Sequence, residues 1–269
     1  MRSALTTLGA AVIAALVLLP LMWMVSVSFM APGEAAQFPP PLVPAAPTLA
    51  NYRALFDSYG VGRYLANSAF VSATATGLAL LFVVPAGYAF AKLRFRGRDA
   101  VFQTLVAALV IPGQIGMLPL FLELKALGLV NSYAGVLVPW LAGIFGIFLV
   151  RQYALSIPTE MLEAARVDGA SEGQILTRIV LPALQPIIVT LALFVFLGSW
   201  NDFLWPLIVL SDDRLYTLPV ALAALSRERV QDVELMMAGS VVTTLPVLIL
   251  FLVLQRFYMR GLLAGSVKG

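Results

Sequence analysis

Long apolar runs broken by short polar interruptions dominate the chain, and within each run hydrophobic positions follow one another without alternation. Six runs are long enough to cross a hydrocarbon layer of about 30 Å. They lie near Leu8–Phe29, Ser68–Phe90, Val101–Leu122, Tyr133–Val150, Ile187–Leu210 and Ala238–Leu254, and only the fifth holds a charge, Asp202. Backbone polar groups in lipid must be satisfied within the segment, so continuous runs of this length predict helices rather than the alternating strands of a barrel. The expected fold class is all-α, a polytopic membrane protein with six transmembrane helices.

The polar interruptions are of two kinds. Residues 31–63, with Pro39, Pro40, Pro41, Pro44, Pro47 and a helix-like stretch Leu49–Phe56, and residues 211–237, which are charged, fall on one side as candidate docking surfaces. On the other side one large loop runs from Arg151 to Gln185. Within it Pro158 suits a first helical turn and Glu160 complements the positive end of the helix dipole. Met161, Leu162, Ala164 and Ala165 then fall on one helical face and Glu160, Glu163 and Arg166 on the other, with Val167 breaking the separation. Gly169 suits a left-handed C-terminal cap. Ser171 and Gln174 have capping-box spacing for a second helix with the stripe Ile175, Leu176, Ile179 and Val180, ended by Pro182 and Pro186. The pattern predicts a rigid elbow against the ends of the spans, with Ala164, Ala165 and Gly169 leaving room for another surface.

Composition narrows the class. The 269 residues are 61% hydrophobic and 12% charged, with no His and no Cys, which excludes a soluble domain, disulfides, thiolate chemistry and the commonest metal and acid–base groups. Eleven of the seventeen basic residues, including Arg2, the cluster Lys92–Arg98, Arg256, Arg260 and Lys268, fall on the elbow side. The positive-inside bias makes that side, and both termini, cytoplasmic. The isoelectric point near 9.3 does not indicate nucleic acid, because the basic residues hug membrane edges without aromatics interleaved along a groove. The first run exceeds a signal-peptide core of about 7–15 residues, and Ala31–Pro32–Gly33 is a poor cleavage site, so a retained span is expected.

The run EAARVDGASEGQILTRIVLPALQP, Glu163 to Pro186, resembles the EAA motif of inner-membrane permease subunits of binding-protein-dependent ATP-binding-cassette importers. Arg151–Gln152, Ile157–Pro158, SWNDFLWP at Ser199–Pro206, Thr217–Leu218–Pro219 and the ending GLLAGSVKG at Gly261–Gly269 extend the resemblance toward the carbohydrate branch, the maltose-permease-like subunits. It implies a type I importer permease (MetI-like) fold in a bacterial inner membrane, with residues 1–63 forming the first span and outside segment, 64–257 the permease core with its coupling loop 151–185, and 258–269 a cytoplasmic tail, of which Gly261–Gly269 is expected to reach the ATPases. It further implies that Glu163, Ala164, Ala165, Asp168, Gly169 and Pro182 couple the chain to an ATPase dimer that binds ATP and Mg. A second homologous permease, an extracytoplasmic solute-binding protein and a carbohydrate complete the implied partners.

No GxxxxGK[S/T] run occurs, so nucleotide turnover belongs to another chain and this one is not an enzyme. Asn67, Gln114, Trp200, Asn201 and Asp202 are the polar and aromatic groups expected along a translocation path, where intramembrane polar residues face the bundle interior or water. Interfacial anchoring and helix–helix hydrogen bonding account for the same residues. The alternative function is an ion-coupled secondary transporter with Asp202 as its proton or cation site. Proline occurs in every run, at 20, 85, 112, 119, 139, 206 and 246, where it could supply kinks.

Overall fold

The structure, a computed structural model, describes residues 2–228 and 232–266. Among them every regular element is helical. In chain order the main helices are α1 (Arg2–Ser28), α2 (Val61–Lys92), α3 (Arg98–Ala108), α4 (Met117–Ala126), α5 (Ile144–Leu155), α6 (Thr159–Val167), α7 (Glu172–Ala183), α8 (Gln185–Trp200), α9 (Leu204–Val209), α10 (Leu218–Glu228) and α11 (Val233–Ser266). Four stretches are long and apolar enough to cross a membrane: Thr6–Ser28, Val61–Lys92, Tyr133–Leu155 and Val233–Val253. Two sharply bent pairs, α3 with Gly113–Ala126 at 99° and α7 with α8 at 81°, bring the number to six if each is one span.

The third run is therefore not the continuous helix that Val101–Leu122 suggests. Pro112 lacks an N–H and disfavours helical backbone at Ile111. The chain tightens into three-residue bonds, Val110 N to Ala107 O at 3.2 Å and Ile111 N to Ala108 O at 3.1 Å, and turns extended at Pro112, with ψ 130°. Pro119 then falls in the first turn of α4, where a missing N–H costs little. The fifth run also stops early. Its helix ends at Trp200, and Asn201–Phe203 separate it from the short α9.

The chain divides into two compact units. One comprises the chain up to Ala66 with Leu218–Ile249; the other comprises Asn67–Thr217 and the chain from Leu250. In the first, Asn51 Nδ2 donates to the carbonyls of Ser28 (3.0 Å) and Met30 (2.8 Å), closing the exposed carbonyl end of α1. Tyr52 reaches Ser28 Oγ at 2.7 Å and packs against Phe29. The second unit holds a core built from α2, α5, α6, α7 and α8, including Val83, Val84, Val150, Leu162, Ile175, Leu184 and Leu191. Gly87 and Gly146 let α2, α5 and α8 approach closely, since a Cβ at Gly87 would lie 2.6 Å from Val150 Cβ and one at Gly146 would lie 2.9 Å from Val83. Small residues serve this purpose in membrane helices, where packing rather than hydrophobicity holds spans together. A second cluster joins Val71, Leu124, Val136, Trp205, Val209 and Leu210, with Trp205 Nε1 donating to Gly135 O at 3.1 Å.

Of the tail predicted at 258–269, the backbone to Ser266 continues α11, while 267–269, with Lys268, lie outside the described residues.

Candidate functional site

The elbow forms much as the local signals require. Pro158 precedes α6, and Glu160 lies in its first turn. After Val167 the chain closes with Gly169 N to Arg166 O at 3.0 Å and Ala170 N to Ala165 O at 2.9 Å, with Gly169 at φ 82° in the left-handed region. Ser171 then opens α7 with a complete capping box: Gln174 N donates to Ser171 Oγ at 3.3 Å, and Ser171 N donates to Gln174 Oε1 at 2.8 Å. A wide π turn over Leu176–Val180 places Leu181 N on Leu176 O, just ahead of Pro182, which cannot donate to the ladder. Leu184 N to Val180 O and Ile188 N to Leu184 O continue hydrogen bonding through the bend into α8. The elbow and the fifth span are thus one bonded lever, and Pro182 shapes its bend.

Packing decides which face is free. Leu162 and Ile175 are fully buried in the core, and Ala165 and Ala170 pack against it. Glu163, Ala164, Asp168 and Gly169 are exposed, together with Met161 (42%) and Val167 (88%). Of the four residues that share one helical face, Leu162 and Ala165 meet the core, while Met161 and Ala164 are exposed. The helix is short, so contact with the core is made at Leu162 and Ala165 and the remaining apolar positions stay exposed. The left-handed Gly169, Ala164, Met161 and Val167 form a small, weakly charged surface flanked by Glu163 and Asp168.

Polar groups clamp the elbow from behind. Tyr88 Oη in α2 donates to Glu172 Oε2 at 2.8 Å, and Arg166 Nε donates to Glu172 Oε1 at 2.6 Å, joining α2, α6 and α7 at one carboxylate. The Arg166 hydrogen bond holds the Glu172 carboxyl below its ordinary value, and the Arg166 guanidinium is raised in turn. Lys92 Nζ, at the end of α2, donates to Ile157 O at 2.6 Å and Leu155 O at 3.3 Å, capping the carbonyl end of α5 where the elbow begins. Arg151 Nε donates to Phe90 O at 3.2 Å, with its guanidinium 4.0 Å from the centre of the Phe102 ring. Sequence reasoning does not single out Tyr88, Lys92, Arg151 or Glu172 as site residues. The signals that could have marked them are the terminal position of Lys92, the first-turn position of Glu172 and the place of Arg151 in the Arg151–Gln152 motif.

The residues expected along a translocation path separate. Gln114 and Asp202 meet in one cleft of about 350 Å³, lined also by Met117, Leu120, Trp140 and Trp205. This cleft opens where the third and fifth runs are interrupted, and non-helical backbone at membrane depth is tolerated where it lines a cavity. Trp140 Nε1 is buried with no hydrogen-bond partner among the described residues, and Asp202 Oδ1 accepts weakly from Trp205 N at 3.4 Å at the start of α9. The other three are not in that lining. Asn67 Nδ2 donates to the carbonyls of Arg214 and Tyr216, both at 2.9 Å. Trp200 is buried and stacked on Phe196 with ring centres 5.7 Å apart. Asn201 Nδ2 turns back onto Leu197 O at 2.8 Å.

Residues 83–262 match the family described as binding-protein-dependent transport system inner membrane component. The arabinooligosaccharides transport system permease protein AraQ of Halalkalibacterium halodurans is 38% identical over 98% of this chain and 96% of its own length. The lactose transport system permease protein LacG of Rhizobium radiobacter is 34% identical over 81% of this chain and 80% of its own length. Among solved structures, a chain of a bacterial ABC transporter involved in the import of the acidic polysaccharide alginate superposes with a TM-score of 0.84 at 26% identity, covering 96% of each chain. The matched segment contains the elbow, its clamp and the cleft, and with these matches the chain belongs to the inner-membrane components of binding-protein-dependent transport systems, as a multi-pass permease.

Proposed function

We propose that this chain forms half of the translocation pathway of an ATP-driven carbohydrate importer and receives its driving force through the elbow α6–α7. The carrying observation is the bonded lever: an exposed turn at Gly169, clamped to α2 through Glu172 and continuous with α8. A push on the turn is transmitted to the fifth span through the backbone hydrogen bonds that continue across the bend, Leu184 N to Val180 O and Ile188 N to Leu184 O.

In this reading Glu163, Ala164, Asp168 and Gly169 meet a cytoplasmic ATPase dimer that binds ATP and Mg. Ala165 sets the close seating of α6, and Pro182 sets the bend. The sugar-named relatives and the polysaccharide importer support a carbohydrate cargo. Gln114, Asp202, Trp140 and Trp205 suit such a cargo, since sugars present hydroxyls to polar groups and C–H faces to aromatic rings. A second permease, a solute-binding protein and a bacterial inner-membrane location with cytoplasmic termini complete the assembly.

The test is reconstitution in proteoliposomes with companion permease and ATPase. Uptake should require ATP and survive an uncoupler. Because the chain has no cysteine, Glu163→Cys supplies a unique cross-linking handle, expected to trap the ATPase subunit. Uptake by this chain alone, or no trapping under turnover, would overturn the proposal.

A further inference from the structure

Breaks in the third, fourth and fifth spans all meet at the cleft. Gln114 lies in the first of them and Asp202 in the last. Trp140 belongs to the fourth span, where the helix Tyr133–Leu137 tightens at Pro139 into the three-residue turn Val138–Trp140. The chain then extends at Gly143, with ψ 105°, before α5 begins. The indole is therefore carried on a break, with poorer hydrogen-bond geometry than a continuous α-helical ladder would give it.

The lever α8 holds the ring in place. A Cβ at Gly198, in the last turn of α8, would lie 2.8 Å from Trp140 Cη2 and 3.1 Å from Cζ3, so the six-membered ring rests on bare backbone. Part of Trp140 lines the cleft, whereas its Nε1 is buried with no hydrogen-bond partner among the described residues. An atom closed off within one chain stays closed off in any assembly of it, so no companion subunit supplies the missing acceptor in this position. Buried Trp N–H groups ordinarily find a partner, and leaving one unpaired costs free energy. The indole is thus held against its own preference, beside a cleft that contains acceptors. Asp202 is one of them, and its Oδ1 is engaged by Trp205 N at the weak distance of 3.4 Å.

We propose that Trp140 couples the lever to the cargo cleft, with Gly198 as the positioning residue that seats its ring. The coupling rests on the elbow as the entry point of force. Movement of α8 carries Gly198 off the ring, the indole turns on its interrupted backbone, and Nε1–H enters the cleft. There it donates to an oxygen acceptor, the Asp202 carboxylate or a hydroxyl of the sugar. The two positions exchange packing on Gly198 for a hydrogen bond, which is the differential interaction a two-state element requires. The cleft changes shape and gains a donor in step with the elbow.

The test uses the assembled transporter in proteoliposomes, with fluorotryptophan incorporated and the Trp140 signal assigned by its loss in Trp140→Phe. The fluorine resonance of Trp140 should shift when the ATPases are trapped with ATP and vanadate. Gly198→Ala, which presses on Cη2, should shift it without nucleotide and lower the sugar delivered per ATP several-fold. Adding Trp140→Phe removes the clashing atoms, so thermal stability lost to Gly198→Ala should return while sugar per ATP stays low, because the N–H is gone. Recovery of both would make Trp140 a packing residue and overturn the proposal. So would a Trp140 resonance that trapping leaves unmoved in a transporter whose uptake is driven by ATP. Uptake without ATP would overturn the elbow reading itself, and the role of Trp140 with it.

Discussion

Tyr88 Oη and Glu172 Oε2 lie 2.8 Å apart and join the second span to the first turn of the helix after the elbow. Because Glu172 also holds Arg166, one carboxylate fixes both arms of the elbow to a membrane helix. Replacing Tyr88 by Phe removes one hydrogen bond and no packing volume, a loss of about 1 kcal/mol for a neutral donor on a partly solvated acceptor. The expected outcome is normal insertion, faster amide exchange in α6 and the first turn of α7, and weaker stimulation of transport by ATP. Unchanged exchange would show that the bond does not restrain the elbow.

The same carboxylate sets a pH dependence. Arg166 holds the folded-state value of Glu172 below the ordinary 4.5, so folding favours the ionised form. Its contribution is full above the ordinary carboxylate value and is lost as acid protonates the folded carboxylate beneath it. Glu172 precedes the bend into α8, outside the spanning segment. Exchange protection of α7 should stay flat through neutrality and fall only in acid below 4.5; a transition near neutral pH would contradict the assignment.

Gly169 separates conformation from space. A Cβ there would meet nothing within 4 Å, yet φ is 82°, so a β-branched substitution strains only the backbone, by about 1–2 kcal/mol. Gly169→Val should leave the protein inserted and abolish substrate-dependent uptake. Gly169→Asn, which tolerates the left-handed region, should retain most of it. Equal loss in both variants would point to steric exclusion of a partner instead.

Gly87 presents the opposite case. Its virtual Cβ falls 2.6 Å from Val150 Cβ, so Gly87→Ala drives α2 and α5 apart at a cost of about 1–3 kcal/mol. The variant should lose thermal stability in detergent. Adding Val150→Gly should restore part of it, a favourable coupling expected only if the two residues touch.

The cleft offers a functional variant with little structural burden. Gln114 is exposed in the interrupted third run, so Gln114→Leu should leave assembly and basal ATP hydrolysis intact while reducing uptake several-fold. Asn67→Leu should instead lower stability, because it removes two hydrogen bonds to the carbonyls of Arg214 and Tyr216. Reversed outcomes would exchange the roles given to the two residues.

The elbow is legible in the sequence because each of its signals is local. Pro158, Gly169 and the Ser171–Gln174 capping box act within a few residues, and each appears where its spacing places it. The interruption of the third run is less visible, since hydropathy does not register that Pro112 ends a helix while Pro119 can begin one. Periodicity groups Met161, Leu162, Ala164 and Ala165 on one face but does not say which of them meet the core, because a short helix has too few turns to settle it.

By itself, the order of residues determined that this chain is helical, crosses a membrane and carries an elbow, because lipid leaves backbone groups no partner outside the segment and caps act over a single turn. Only the tertiary structure decided that Glu172 clamps that elbow to Tyr88, that Lys92 caps a distant helix end, and that Gln114 shares a cleft with Asp202 while Asn67 and Asn201 serve carbonyls. Those contacts join residues far apart in the chain, and such pairings depend on how helices cross, which apolar runs of nearly uniform composition do not encode locally.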